Sequence, residues 1–134
     1  MTEADTSGRV AVVDDDRSVR RALRRLLATV GFEAVTHDGG PEFLASPALH
    51  EVDCLLLDVH MPGMSGFQVL AEIREASAKL PVVLMTARYE ADFTIRALEA
   101  GASAMLRKPF SEQELMDALH EAAGLQAASR PRGR

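Results

Sequence analysis

The chain of 134 residues is long enough for one domain with a substantial core, and its 47% hydrophobic content excludes a mainly disordered polymer. Its formal net charge of −5 argues against nucleic-acid binding through a general basic surface, and its single cysteine excludes an intramolecular disulfide. No apolar segment approaches the length of a membrane span, and the N-terminus does not resemble a secretory signal. We therefore expect a soluble, cytoplasmic protein without a membrane partner.

Strand and helix patterns alternate along the whole chain. Apolar β-branched runs predict strands, and apolar residues at spacings of three and four predict helices. In chain order, the predicted elements are a strand at 10–14, a helix whose apolar stripe runs from Val19 to Val30, a strand at 33–37, a short helix opened by Pro41 and closed by Pro47, a strand at 52–58, a helix at 65–78, a strand at 80–86, a helix at 90–101, a strand at 104–108 and a helix at 111–124. This alternation predicts an α/β fold with a parallel sheet covered on both faces.

The domain is predicted to cover 8–124, and the composition changes after it. From Leu125 the sequence LQAASRPRGR loses its periodicity and becomes small, basic and proline-containing. We interpret 125–134 as a flexible basic tail or as the start of a linker to an absent output domain. Cys54 lies in the middle of an apolar strand, so we expect a reduced, buried core thiol.

Polar side chains stand at the carboxyl ends of four predicted strands. Asp14, Asp15 and Asp16 end the first strand, Asp58 ends the third, and Thr86 and Lys108 end the fourth and fifth. In open α/β sheets, sites form outside the carboxyl ends of the strands, so these groups are expected to face one crevice. Carboxylates held that close repel one another unless a cation binds them, and Mg²⁺ suits an all-oxygen site beside a phosphate.

The same set of groups suits phosphoryl transfer. Asp58 is the natural nucleophile because carboxylates form acyl phosphates, and Lys108 with Thr86 can stabilise the oxygens of the transferring group. Taken singly, each residue has an ordinary interpretation: a helix cap for one of the three aspartates, a turn residue for Thr86, a solvated surface lysine for Lys108. We expect Asp16 to be the aspartate that caps the following helix. Their conjunction at four strand ends favours the site.

Four segments carry a family resemblance: VVDDD, LLLDVHMPGMSG, VVLMTA and KPF. With them the chain resembles, from about Val10 to Gly124, the receiver domain of bacterial two-component response regulators. The spacing around 86–110 is similar to that of nitrogen-fixation and nitrate-response regulators, whose receivers control transcription. The resemblance implies a flavodoxin-like, doubly wound (βα)5 fold with strand order 2-1-3-4-5.

The resemblance also implies residue roles. Asp58 would be the phosphoacceptor, and the donor would be the phosphohistidine of a sensor histidine kinase or a small acyl phosphate. The Lys108–Pro109 bond would be cis. The residues implied for Mg²⁺ are Asp14, Asp15, Asp58 and the backbone carbonyl of His60, and those implied for the phosphoryl group are Thr86, Ala87 and Lys108. Such a domain is not an enzyme in the usual sense, since it catalyses only its own phosphorylation and dephosphorylation.

One position differs from the family pattern, and two others stand where similar domains control how long the phosphoryl group lasts. Met105 stands where similar receivers carry a switching aromatic, so an aromatic rotamer switch is excluded there; Tyr89 and Phe93 are alternative moving aromatics. His60 and Arg88 occupy positions that tune phosphoryl lifetime in similar domains, and their bulk suggests restricted water access.

Partner surfaces are less specific. The first helix carries Arg17, Arg20, Arg21, Arg24 and Arg25, which suit either a solvated face or kinase docking. Arg96 and Arg107 lie on the predicted fourth helix and fifth strand, a face that many receivers use to form homodimers. A C-terminal DNA-binding domain would lie outside this chain. The remaining histidines are predicted to lie on the surface: His37, His50 and His120.

Three other functions fit the sequence less well than a receiver does. A haloacid-dehalogenase-type phosphatase would use the Asp-x-Asp at 14–16, but it leaves Asp58 and its MPGMSG turn unexplained and lacks an acidic pair after Lys108. A phosphorylation-independent binding module is disfavoured because the acidic groups and the lysine are all present. A Rossmann-type nucleotide site lacks its glycine-rich turn. A stand-alone regulator or phosphorelay intermediate remains an alternative to a transcriptional output.

Overall fold

The computed structural model describes residues 8–76 and 79–126, which form five strands and six helices. The strands are β1 (Arg9–Val13), β2 (Glu33–His37), β3 (Cys54–Asp58), β4 (Val82–Thr86) and β5 (Ala104–Arg107). All neighbouring strands pair in parallel, in the order β2-β1-β3-β4-β5. This confirms the flavodoxin-like doubly wound sheet and its 2-1-3-4-5 order.

The helices are α1 (Arg17–Thr29), α2 (Gly40–Leu44), α3 (Ala48–Glu51), α4 (Gly66–Ala76), α5 (Phe93–Ala100) and α6 (Glu112–Ala123). The sequence analysis missed α3, because four residues are too few to show a helical period. Pro47 is the N-cap residue of α3 and does not close the preceding helix, which ends at Leu44. The predicted fourth helix is therefore α5.

Several predicted boundaries are a few residues too long. Val52 and Leu80 are buried and were assigned to strands, but β3 begins only at Cys54 and β4 only at Val82. Burial alone does not make a residue part of the sheet ladder. The helix predicted from Glu90 begins at Phe93, and the last two residues predicted for 65–78 lie outside the described residues.

The helix ends follow local capping chemistry. The Asp16 carboxylate accepts the backbone N–H groups of Ser18 and Val19, so it starts α1 as predicted. Ser111 and Glu114 form the reciprocal capping box of α6. Gly101 ends α5 with a φ of 95°, a left-handed conformation that glycine adopts without strain.

The core consists of two apolar clusters, one on each face of the sheet. Along β1 and β3, alternate residues point to opposite faces: Ala11 and Leu55 to one cluster, Val12 and Leu56 to the other. All five residues of each of β3 and β4 are buried, which explains their mainly apolar sequences.

Leu125, the first residue of the predicted tail, packs against the second cluster, and 127–134 lie outside the described residues. No helix in the described part of the chain has the length and apolarity to cross a membrane.

Candidate functional site at the carboxyl end of the sheet

The parallel sheet brings the predicted polar residues to one edge. Asp14 follows β1, Asp58 and Thr86 are the last residues of β3 and β4, and Lys108 follows β5. Asp14, Asp58 and Thr86 are 1%, 5% and 0% exposed, and in the described segments no other polar or charged residue is this deeply buried. Buried polar groups need partners, so their gathering at one place points to a site.

Three carboxylates form the centre of this site. One oxygen from each of Asp14, Asp15 and Asp58 lies within 4.8 Å of the other two, while the Asp15 side chain is open to solvent. Asp16, the fourth nearby acid, instead caps α1. Three oxygen donors with one solvent-facing side can hold a divalent cation that keeps some of its water. His60 is exposed in the loop after β3, and the predicted role of its carbonyl stays a prediction.

Lys108 bridges two of the carboxylates. Its Nζ lies 2.7 Å from Asp14 Oδ2 and 3.0 Å from Asp58 Oδ1. Burial disfavours the ammonium, but the hydrogen bonds and charges of Asp14 and Asp58 outweigh that effect and raise the pKa of Lys108. Lys108 is therefore a fixed positive charge at neutral pH.

The Asp58 carboxylate is not fully compensated by this lysine. Burial raises the pKa of Asp58, the Lys108 hydrogen bond lowers it, and the charges of Asp14 and Asp15 raise it again, so that the net shift is upward. Three carboxylates against one ammonium leave a formal charge of −3 + 1 = −2. A divalent cation would neutralise it.

The Thr86 hydroxyl is held by its own loop. Its Oγ1 accepts the backbone N–H of Arg88 at 3.0 Å and donates to the Arg88 carbonyl oxygen at 3.0 Å. To donate to a group on Asp58, this hydroxyl must first give up its bond to the Arg88 carbonyl oxygen, because it has a single hydrogen. Ala87 and Arg88 are exposed, so the loop that follows β4 borders the site with solvent-accessible residues.

An apolar groove of about 430 Å³ opens beside Lys108. It is lined by Val19, Leu23 and Leu26 of α1, by the segment Pro109–Phe110 and by Ala87. The Lys108–Pro109 bond in this wall is cis, as predicted. The groove was not predicted from the sequence, because the pattern of one helix does not show what its partner leaves uncovered.

The residues at the predicted switch lie on the α5 side of the site. Met105 is half-buried and packs against the first core cluster. Tyr89 is 46% exposed, its hydroxyl lies 2.6 Å from Thr94 Oγ1, and its ring meets Phe93 edge-on. The Arg107 guanidinium lies 5.1 Å from the centre of the Tyr89 ring. Phe93 is itself buried.

One histidine was placed wrongly, and the cysteine was placed correctly. His37 was predicted on the surface, but its side chain is only 11% exposed, both ring nitrogens lack a hydrogen-bond partner, and it packs edge-on against Phe43. The alternation of β2 puts His37 on the same face as Val35, a signal that was available. His50 and His120 are exposed. Cys54 is buried, and burial raises its pKa to about 12.

The family model described as "Response regulator receiver domain" matches residues 10–120 of the chain. The chain belongs to the response regulator receiver family. This membership, with the strand order, displaces the phosphatase and Rossmann-type alternatives.

Three relatives illustrate the range of the family. Nodulation protein W of Bradyrhizobium diazoefficiens is 40% identical over 88% of this receiver and 52% of its own length. The DNA-binding transcriptional regulator NtrC of Salmonella typhimurium is 43% identical over 80% of the receiver and 23% of its own length. The response regulator TrrA of Thermotoga maritima, solved in complex with Mg²⁺-BeF, superposes with a TM-score of 0.75 at 31% identity over 85% of the receiver and 97% of its own chain. The receiver thus spans about half the length of Nodulation protein W and less than a quarter of NtrC.

Proposed function

We propose that this receiver accepts a phosphoryl group on Asp58 from the phosphohistidine of a sensor histidine kinase, or from a small acyl phosphate, in a reaction that needs Mg²⁺. The observation that carries the proposal is the cluster of Asp14, Asp15 and Asp58 bridged by Lys108 Nζ at 2.7 and 3.0 Å. An uncompensated buried nucleophile beside a fixed ammonium matches the needs of phosphoryl transfer, which are positioning and charge neutralisation.

In this reaction an Asp58 oxygen forms a bond to phosphorus while the bond between phosphorus and the donor nitrogen or oxygen breaks. Lys108 orients the carboxylate through Oδ1 and neutralises charge on the phosphoryl oxygens. Thr86 supplies a hydroxyl donor once its bonds to Arg88 are released, and the small Ala87 leaves room for the group. Mg²⁺, held by Asp14, Asp15, Asp58 and the His60 carbonyl, would offset the remaining negative charge. The bulk of His60 and Arg88 would limit the access of hydrolytic water.

The proposal is tested by intact mass after incubation with acetyl phosphate, with and without Mg²⁺, and with a phosphorylated kinase bundle. We expect one phosphoryl adduct that requires Mg²⁺. No adduct from either donor, under conditions that label a control receiver, would contradict the proposal and favour a phosphorylation-independent binding module.

Asp15→Asn is expected to weaken Mg²⁺ binding at least about tenfold, because it removes the solvent-facing carboxylate of the metal site. Calorimetric titration with MgCl₂ measures the change. Asp16→Asn is the matched control: the same substitution, one residue away, at a side chain that caps α1 and belongs to no metal cluster. Equal Mg²⁺ affinity of Asp15→Asn and wild type would refute the assignment.

The apolar groove is the surface we propose for the kinase. It lies against Lys108 and would bring an amphipathic helix of the kinase bundle close to Asp58. On the opposite flank, Ile95 and Leu98 of α5 are 60% and 58% exposed, and with Arg96 and Arg107 they form the surface that we propose for a homodimer.

The output is proposed from the relatives. Because NtrC is a DNA-binding transcriptional regulator that extends well beyond the matched region, we infer that this receiver controls a DNA-binding output domain carried on a longer chain. A stand-alone regulator or relay intermediate is the alternative. The match to NtrC favours transcriptional control.

We infer that Tyr89 replaces the missing aromatic at Met105 in relaying phosphorylation. Movement of the Thr86 hydroxyl toward Asp58 must release the Arg88 backbone, and Tyr89 is the next residue. The Tyr89 side chain connects this loop to α5 through Thr94 and Phe93, and to β5 through Arg107. A shift of the loop therefore reaches the proposed dimer surface.

Tyr89→Ala is expected to leave phosphoryl uptake unchanged but to reduce, by more than half, the change that phosphorylation causes in α5. Amide hydrogen exchange of Phe93–Ala100, with and without Mg²⁺ and beryllofluoride, measures this change. Tyr89→Phe keeps the ring contacts and loses only the hydroxyl, so it should retain most of the response. An unaltered response in Tyr89→Ala would show that the signal takes another route.

A further inference from the structure

A positively charged hollow lies on the α1 face that the phosphorylation chemistry does not use. Four arginines of α1 line it together with Thr36 of the edge strand β2, around a volume of about 400 Å³. They are spaced along one side of the helix: Arg17, Arg20, Arg21 and Arg24. Arg25, the fifth arginine of α1, is exposed and does not line the hollow.

This charge is not neutralised within the described residues. No α1 arginine lies within 4.0 Å of a carboxylate oxygen there, and α1 itself contains no acidic residue. Like charges three and four positions apart destabilise a helix, and cations in the first turn oppose its dipole. The chain has a net charge of −5, so a helix face that only contacts solvent does not need so many arginines to stay soluble.

Arg20 gives the hollow a fixed element. Its side chain is half-buried, and Nη1 donates to the backbone carbonyl oxygen of Asp14 at 2.8 Å. The guanidinium is therefore held at the junction of β1 and α1, and does not move freely as an exposed arginine does. Thr36 adds a half-buried hydroxyl on the opposite wall.

We propose that this hollow binds a small ligand that carries a polyphosphate group. Guanidinium groups match phosphate oxygens with paired hydrogen bonds, and several of them together favour a ligand with more than one negative charge. The volume falls within the range of small-molecule sites. The residues that line the hollow are not members of the acidic cluster, although Arg20 contacts the backbone carbonyl of Asp14. The proposal does not require phosphorylation of Asp58.

The test is calorimetric titration of the 134-residue chain with pyrophosphate, at physiological ionic strength and without Mg²⁺, so that the acidic cluster repels the anion. We expect saturable binding at one site. Arg21→Gln should weaken it about tenfold, which corresponds to about 1.4 kcal/mol. Arg25→Gln, with the same charge change on the same helix, should weaken it less than about twofold. Glutamine and arginine have similar helix propensities, so both variants should stay folded, which circular dichroism checks.

Two further arms sharpen the result. Asp58→Asn should keep one-site binding, which places the ligand outside the phosphoryl site. ADP is compared with pyrophosphate: equal affinity supports recognition of the phosphates alone, and tighter binding of ADP supports a nucleotide. The absence of saturable heat, or an equal loss in Arg21→Gln and Arg25→Gln, would overturn the proposal, because either outcome indicates diffuse surface charge only.

Discussion

Asp58→Asn is expected to abolish Mg²⁺-dependent phosphoryl uptake completely. The side-chain amide that replaces the carboxylate cannot form an acyl phosphate. Asp14 and Asp15 stay in place in this variant, so the absence of an adduct would assign the phosphoryl group to Asp58 alone. Intact mass after acetyl phosphate treatment measures the loss. Asp16→Asn should be labelled like the wild type, since its side chain only caps α1.

The same variant has a predicted stability signature without Mg²⁺. The folded chain raises the pKa of Asp58 above its ordinary value of 3.8, so the folded state binds this proton more readily than the unfolded chain. Ionisation of Asp58 therefore costs stability as pH rises from the unfolded pKa through the folded one, and the cost persists above it. Asp58→Asn should be more stable than the wild type at neutral pH by about 1 kcal/mol, the scale of one close like-charge repulsion, and should lose this advantage in acid. Urea unfolding at several pH values measures it. An adduct on Asp58→Asn, or a neutral-pH destabilisation, would contradict this account.

Gly66→Ala is expected to destabilise the receiver by about 2 kcal/mol and to impair phosphorylation. A Cβ on Gly66 would stand 2.4 Å from the backbone oxygen of Asp58 and 2.9 Å from Cα of Val59. These atoms are backbone and cannot rotate away, so overpacking of about 3 kcal/mol is only partly offset by the better helix propensity of alanine, about 1 kcal/mol. Relief of the contact would move Asp58, the residue proposed to accept the phosphoryl group.

Gly39→Ala provides the matched control. Gly39 has extended backbone with φ of −169°, and its added Cβ would meet only Pro41 Cδ at 3.8 Å. We expect a change within about 1 kcal/mol and normal phosphoryl uptake. Urea unfolding and adduct formation are compared for both variants. If Gly66→Ala behaved like Gly39→Ala, the close approach of α4 to the end of β3 would not constrain the site.

Most of the fold and the acidic cluster could be predicted from the sequence, because the sequence shows where each strand ends and which residues stand there. Parallel strands bring their carboxyl ends to one edge, so the positions of Asp14, Asp58 and Lys108 along the chain predicted their proximity. Asp16 was separated from the cluster correctly because a cap needs only local sequence. Predictions that rest on one element and its own ends are the ones that a sequence supports well.

The missed features depend on how elements meet. Val19 and Leu26 pack against the core and also line the groove, and the groove exists only because of the distance between α1 and the loop after β5. His37 is buried because α2 covers the end of an edge strand, and the hydrogen bonds of the Thr86 hydroxyl depend on the path of the chain through Arg88. None of these distances is encoded in a local pattern.

Cys54 has a practical consequence for following the motions proposed above. Its thiol is buried in the central strand β3, and its pKa of about 12 keeps it protonated and unreactive toward alkylating reagents at neutral pH. The natural chain can therefore be spectroscopically labelled without first removing its own cysteine. A single thiol introduced at exposed Leu98 would react alone, and a fluorophore or spin label there would report from α5 and nowhere else.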